Sequence, residues 1–274
     1  VLILIASKKK KDKKPQAVPL PVVEPVDVPK KVLPTGAYIY VDDMVRSLSA
    51  DKGGDYNAPQ DLACVLAIAE KFNSWPEIIG VSQVRGGNAK SVVQAIVNAA
   101  GLDIPVLSGA PTDAGDESEL SRWMVERSKK GRFHVCLGAP ATDTAQAIRD
   151  GATTDSIRLH ALLKGTWNEI STPNHKRDSD LVQAKVRSKR QIQAPRFHIL
   201  LNKHAGAYQD TAAFIESNKA GNPMWQMVNN NFVLQQNRNM NKAQGFTAGA
   251  LRIADCLTVL DYFGVDVYNN PNGM

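Results

Sequence analysis

The chain of 274 residues has no apolar run that approaches the roughly 18 to 20 residues of a membrane crossing. Aromatic residues are scarce at 6%, and the apolar content of 43% is ordinary for a water-soluble folded body. Cysteine is limited to Cys64, Cys136 and Cys256, each inside an apolar segment and none in C-x-x-C spacing. That odd, scattered set argues against a disulfide framework or a zinc site and predicts buried free thiols, which suits a reducing compartment and leaves an oxidising one open. Positive charge is also missing from most of the chain. Residues 1–35 hold eight lysines against Asp12, Glu24 and Asp27, so nearly all of the formal +6 sits there and residues 36–274 are almost neutral. A nucleic-acid-binding body would carry its excess along one face, so no nucleic acid is expected as a partner of this body.

What is present begins with an arm. Residues 1–7, VLILIAS, are followed at once by KKKKDKK. The apolar piece is too short to span a bilayer, and two readings stand side by side: the stub of a signal or anchor segment, or a sticky end that docks on a partner. Residues 15–35 contain six of the fifteen prolines, spaced so that neither helix nor ladder persists. The expected organisation is a basic, proline-rich arm over 1–35 and one α/β domain over 36–274. Held against neighbouring copies, such an arm would make a homo-oligomer or a larger assembly. Localisation follows the same fork: cytoplasmic for a soluble active protein, assembly-associated or surface-anchored where the apolar stub is an anchor.

The body alternates short apolar runs with helical periods. Tyr38 to Val41, Glu77 to Val84, IPVLSGAP, FHVCLGAP and SIRLHALL read as strands, with amphipathic helices between them. This predicts parallel βαβ units with right-handed crossovers, and therefore a mostly parallel open sheet with helices on both faces. In such sheets ligands bind outside the carboxyl ends of the strands. The chain places Asp42 and Asp43 at the first strand end and Gln60 and Asp61 just ahead of the next helix. Acids at those two points suit a hard cation, although a solvated acidic loop and a helix-favoured Asp explain them equally well.

The stretch AYIYVDDM…QDLACVLAIA resembles the opening of the inosine-uridine-preferring nucleoside hydrolase superfamily, in which a strand ends in D-x-D and a D-D-A-x-A-L segment starts the following helix. Asp43 falls on the second strand Asp and Asp61 on the second helix Asp, while Val41 and Gln60 replace the first of each pair. VRGGN is similar to the second strand exit and puts Asn88 near the ribose and metal. LGAPATDTAQAI resembles G-P-L-T-N-x-A-x-A-L and puts Thr142 on the residue whose carbonyl helps hold the cation. GTWN implicates Asn168 as a pocket residue, and GALRIADCLTVLDYFG puts Asp255 on a metal-binding Asp before a helix. His204, in a loop after a further strand, is a candidate for a leaving-group or binding role.

The resemblance implies a nucleoside-hydrolase-like fold and a calcium ion held by Asp43, Asp61, Asp255 and the Thr142 carbonyl. Asp43 would serve as base, and Asn88 and Asn168 would hold the sugar of a nucleoside or related riboside. Calcium favours several oxygen ligands and tolerates loop-built geometry, and a bound cation activates water for attack on an anomeric carbon. Two lost carboxylates weaken such a site; Asp42, Asp55, Asn57 or the Gln60 carbonyl are the residues at hand to compensate. The alternative is a catalytically silent relative that reuses the fold as a structural or binding component, for example of a virion, tethered by its arm.

Overall fold

The computed structural model describes residues 35–50, 54–82, 89–162, 167–191, 222–243 and 255–265. The arm up to Pro34, Asn88 and His204 therefore lie outside the described residues. The chain runs β1 (Tyr38–Asp42), α1 (Ala58–Lys71), β2 (Ile79–Val81), α2 (Lys90–Ala99), β3 (Val106–Ser108), α3 (Glu119–Lys129), β4 (Phe133–Leu137) and α4 (Thr142–Arg149). It continues with β5 (Ile157–Ala161), α5 (Trp167–Ile170), α6 (Pro173–Lys185), β6 (Ser188–Gln191), α7 (Pro223–Val228), α8 (Asn231–Ala243) and α9 (Leu257–Tyr262).

The six strands form one open sheet in the order β3-β2-β1-β4-β5-β6, and every pairing is parallel. Strand order reverses between β1 and β4, so the crevice beyond their carboxyl ends is the switch point at which open α/β sheets bind ligands. Alternation along the strands feeds two cores. Tyr38 and Tyr40 of β1 point to the face covered by α1, α2, α7 and α9, together with Leu62, Val65, Ile96, Trp225 and Val259. Ile39 and Val41 point to the other face, where α3, α4 and α6 pack through Leu120, Met124, Ala145 and Val182 against Phe133, Val135 and Leu159. Helices thus cover both faces, as the alternating pattern requires.

Two local readings change, and one strand was not expected. Helix α1 starts at Ala58, with Pro59 in its first turn, so Gln60 and Asp61 lie inside the helix and not ahead of it. Trp167 and Asn168 belong to the short helix α5 and not to a strand-exit loop; the Asn168 side chain is outside the described residues. Within the polar stretch after α6, Ser188–Gln191 is a strand paired with β5. It carries no apolar run because, among the described residues, it is the last strand of the sheet, where lysine and arginine are tolerated and discourage further pairing. No helix among the described residues is long and apolar enough to cross a membrane.

Candidate functional site

The site is assembled from the end of β1, the start of α1 and the residues that lead into α9. Asp42 closes β1 on the same side as Tyr40, two residues back, and the Tyr40 hydroxyl donates to Asp42 Oδ2 at 2.5 Å. The Asp43 main-chain N–H donates to Asp42 Oδ1 at 2.8 Å. After the loop, Asp55 forms an isolated bridge with Met44 and accepts the Asn57 main-chain N–H at 3.3 Å. That turn aims the Asn57 side chain along the first turn of α1.

There the chain closes on itself. Asn57 Nδ2 donates to Asp61 Oδ2 at 2.8 Å and to Asp255 Oδ2 at 2.9 Å, a contact across 198 positions. Asp61 Oδ1 accepts the main-chain N–H groups of Asp255 and Cys256 at 2.9 and 3.1 Å. Asp61 therefore caps the start of α9 as well as facing Asp255 through the amide, because the first N–H groups of a helix have no partner inside it. Asp255 is seated over Gly138, just past β4: a β-carbon on Gly138 would lie 2.4 Å from the Asp255 β-carbon. Only a residue without a side chain lets this acid reach the switch point.

Gln60, which stands where the resemblance expects an acid, is tied sideways. Its Nε2 donates to the Val228 carbonyl at 3.1 Å, and its Oε1 accepts Asn237 Nδ2 at 2.8 Å. It fastens α7 and α8 to the start of α1 and is committed to packing.

Burial dominates the electrostatics. Asp42, Asp43, Asp55, Asn57, Gln60, Asp61 and Asp255 are all buried. Desolvation, followed by Asp43, Asp61 and Asp55, pushes the Asp42 carboxyl well above the usual range, against the opposing Tyr40 hydrogen bond. Desolvation likewise pushes Asp61 up to about 6, although its hydrogen bonds from Asn57 and Cys256 favour the charged form. The Tyr40 phenol is raised by burial and by Asp42, Asp61 and Asp255, so these three acids share one neighbourhood around its hydroxyl.

Of the residues proposed from the sequence, Asp61 and Asp255 are brought together, and Asp43 is buried at the adjoining strand end. Thr142 opens α4 on the other side of β4, with a buried hydroxyl that has no hydrogen-bond partner. No three His, Cys, Asp or Glu side chains among the described residues are grouped as they would be around a metal ion. The donor chemistry nevertheless suits a hard cation: the carboxylates supply oxygen, and the buried Oδ1 of Asn57 has no hydrogen-bond partner. Asn57 and Tyr40 are the members that sequence reading under-weighted. The one visible signal for Asn57 was its place four residues ahead of Asp61, which becomes i, i+4 contact once the helix begins.

No family model, curated protein or solved structure matches the chain.

Proposed function

We propose that this protein binds a nucleoside or related N-riboside at the crevice beyond β1 and β4 and hydrolyses its N-glycosidic bond. One observation carries the reading: Asp61 and Asp255, from distant parts of the chain, meet in the interior at a single amide, 2.8 and 2.9 Å away. Burying carboxylates side by side is costly unless something compensates them, and a crevice at a switch point is where a ligand does so.

In this reading Asp43, Asp61, Asp255 and Thr142 would hold calcium, with Asn57 Oδ1 as a further oxygen. When bound, the cation supplies a polarised water and an anchor for sugar hydroxyls. The chain's own residues do the rest. Asp43, at the strand end, accepts the proton from the attacking water, a role that suits a buried carboxylate. Asp42, hydrogen-bonded to Tyr40 and to the Asp43 main chain, fixes the orientation of that strand end. Asn88, Asn168 and His204 are the proposed sugar and leaving-group contacts.

The test is release of ribose from a panel of purine and pyrimidine nucleosides by the full chain with calcium present. Release that falls at least a hundredfold in Asp43→Asn and Asp61→Asn supports the reading, and no release from any nucleoside overturns it. A second reading has its own observation, the cap that Asp61 places on α9. It makes the acid pair a structural clasp in a silent component of an assembly tethered by its arm. In that case Asp61→Asn lowers stability, and neither calcium nor nucleoside changes the melting temperature.

A further inference from the structure

His134 of β4 and His160 of β5 lie on the face of the sheet that α9 covers, and Tyr262 of α9 stands edge-on to the His134 ring with centroids 4.8 Å apart. Hydrogen bonds join them into a chain. Arg190 Nε donates to both Asp261 oxygens at 2.8 and 2.9 Å, so that carboxylate is an acceptor, and His160 Nδ1 donates to it at 2.6 Å. His160 Nε2 lies 2.8 Å from His134 Nδ1. A neutral imidazole carries one N–H, so a ring that spends it on Asp261 can only accept at Nε2. His134 must then donate from Nδ1, and its Nε2 is a bare lone pair. His134 is partly exposed, whereas His160 and Asp261 are buried. Burial, His160 and Arg158 lower His134 to about 4, which keeps its ring neutral at physiological pH.

We propose that His134 is a phosphoacceptor, its Nε2 taking a phosphoryl group from a small phosphoryl donor such as a phosphoramidate while His160 and Asp261 take up the charge. The Nε2 lone pair bonds to phosphorus, the P–N bond breaks, and the protonated amine of the donor leaves as ammonia with the electron pair of that bond. The His134 ring, now substituted at Nε2 and still protonated at Nδ1, carries a positive charge. Its Nδ1 proton passes along the 2.8 Å hydrogen bond to His160 Nε2, and the charge comes to rest on a ring already paired with Asp261. This is the logic of a Ser-His-Asp triad with an imidazole as the nucleophile.

Local charge favours a phosphoryl group over an acyl group. Arg158 is the direct neighbour of His134 across the β4–β5 ladder, and only its Nη1 is engaged, by the carbonyls of Asp155 and Ile157. The remaining guanidinium N–H groups suit phosphate oxygens. Nothing in the chain from Asp261 to His134 draws on Asp43, Asp61 or Asp255, so this chemistry is independent of whether the acid pair turns over a riboside.

The test treats the full chain with potassium phosphoramidate near neutral pH and follows it by intact mass and peptide mapping. The expected result is a single phosphoryl group, stable in alkali and lost in acid, that maps to His134 Nε2 and is absent from His134→Gln. The other histidines report indiscriminate reaction. His160→Gln keeps an oxygen to accept the His134 N–H but has no ring to take its proton, so it should slow the reaction roughly tenfold or more with unchanged circular dichroism. Nitrogen NMR of the wild-type imidazoles needs no variant and should show His134 protonated at Nδ1 alone. No phosphoryl group, equal rates at the other histidines, a folded His160→Gln that reacts as fast as the wild type, or a wild-type His134 protonated at Nε2 would each overturn the proposal.

Discussion

Asp61 and Asp143 occupy the same kind of place and do different work. Each lies in the first turn of a helix that leaves the carboxyl end of a strand, each is buried, and burial pushes each up to about 6. Asp143 Oδ1 accepts the Ala110 N–H and the Ser118 hydroxyl, both at 2.7 Å. Ser118 in turn caps α3, so Asp143 staples the β3–α3 connection to α4, while its Oδ2 has no hydrogen-bond partner. Asp61 instead spends both oxygens on Asn57 and on the residues leading into α9, and it stands among Asp42, Asp55 and Asp255. Asp143 takes its donors from one loop and has Asp178 as its acidic neighbour, whereas Asp61 has several acids around it, which is the feature the proposed function rests on.

Removing each acid carboxyl in turn should give the largest contrast. Asp61→Ala orphans two main-chain N–H groups, leaves the Asn57 amide with Asp255 alone, and is expected to cost roughly 3 kcal/mol in urea denaturation. Asp143→Ala should cost about 2 kcal/mol, with no effect on any calcium response. Equal costs joined to an equal loss of calcium response would erase the distinction.

Two glycines sharpen it. A β-carbon at Gly109 would lie 2.3 Å from Asp143 Oδ2 and 2.8 Å from the Val81 carbonyl, and one at Gly138 would collide with Asp255. Both alanine variants should lose about 1–3 kcal/mol by overpacking. Only Gly138→Ala is expected to abolish calcium-induced stabilisation, as read by the melting temperature with and without the ion.

A smaller effect follows from pH. The folded chain holds protons on Asp61 and Asp143 up to about pH 6, whereas the unfolded chain loses them near 3.8. Between those values the folded state binds more protons, so stability falls as pH rises and stays lower above pH 6. Asp42 acts in the same direction. His134, lowered to about 4 by burial, His160 and Arg158, acts in the opposite direction between about 4 and 6.5, but it is only partly buried and counts for less. The melting temperature should be lower at pH 8 than at pH 5. The smallest expected change is Asp143→Asn, which keeps the accepting oxygen and removes a buried charge; it should shift stability by less than about 1 kcal/mol at pH 8.

Much of the fold was legible because the central strands are written as apolar runs. Tyr38–Asp42 and Phe133–Leu137 are buried almost throughout, and runs of that length between helical periods have few other readings. Strand β6 was not legible, since Ser188, Lys189, Arg190 and Gln191 take their place from pairing with β5 and not from burial of their own. Its Arg190 also answers to a distant residue: it pairs with Asp261 of α9 at 2.8 Å, and Asp261 in turn holds His160. The acids and Asn57 could be picked out by type, but not the place of that amide between two of the acids, because only the tertiary approach of α9 brings Asp255 to Asn57. The Gln60 carbonyl was one of four groups at hand to compensate for the lost carboxylates; what the sequence did not show is that the Gln60 side chain ties α7 and α8 to α1.

Titration calorimetry of the full chain with calcium at pH 7.5, repeated on Asp255→Asn, tests the acid pair most directly. Binding of one ion by the wild type, weakened at least tenfold in the variant, is the predicted result. Absence of calcium heat from the wild type, or equal heats from both proteins, would contradict the account and leave Asp61 and Asp255 as a clasp for α9.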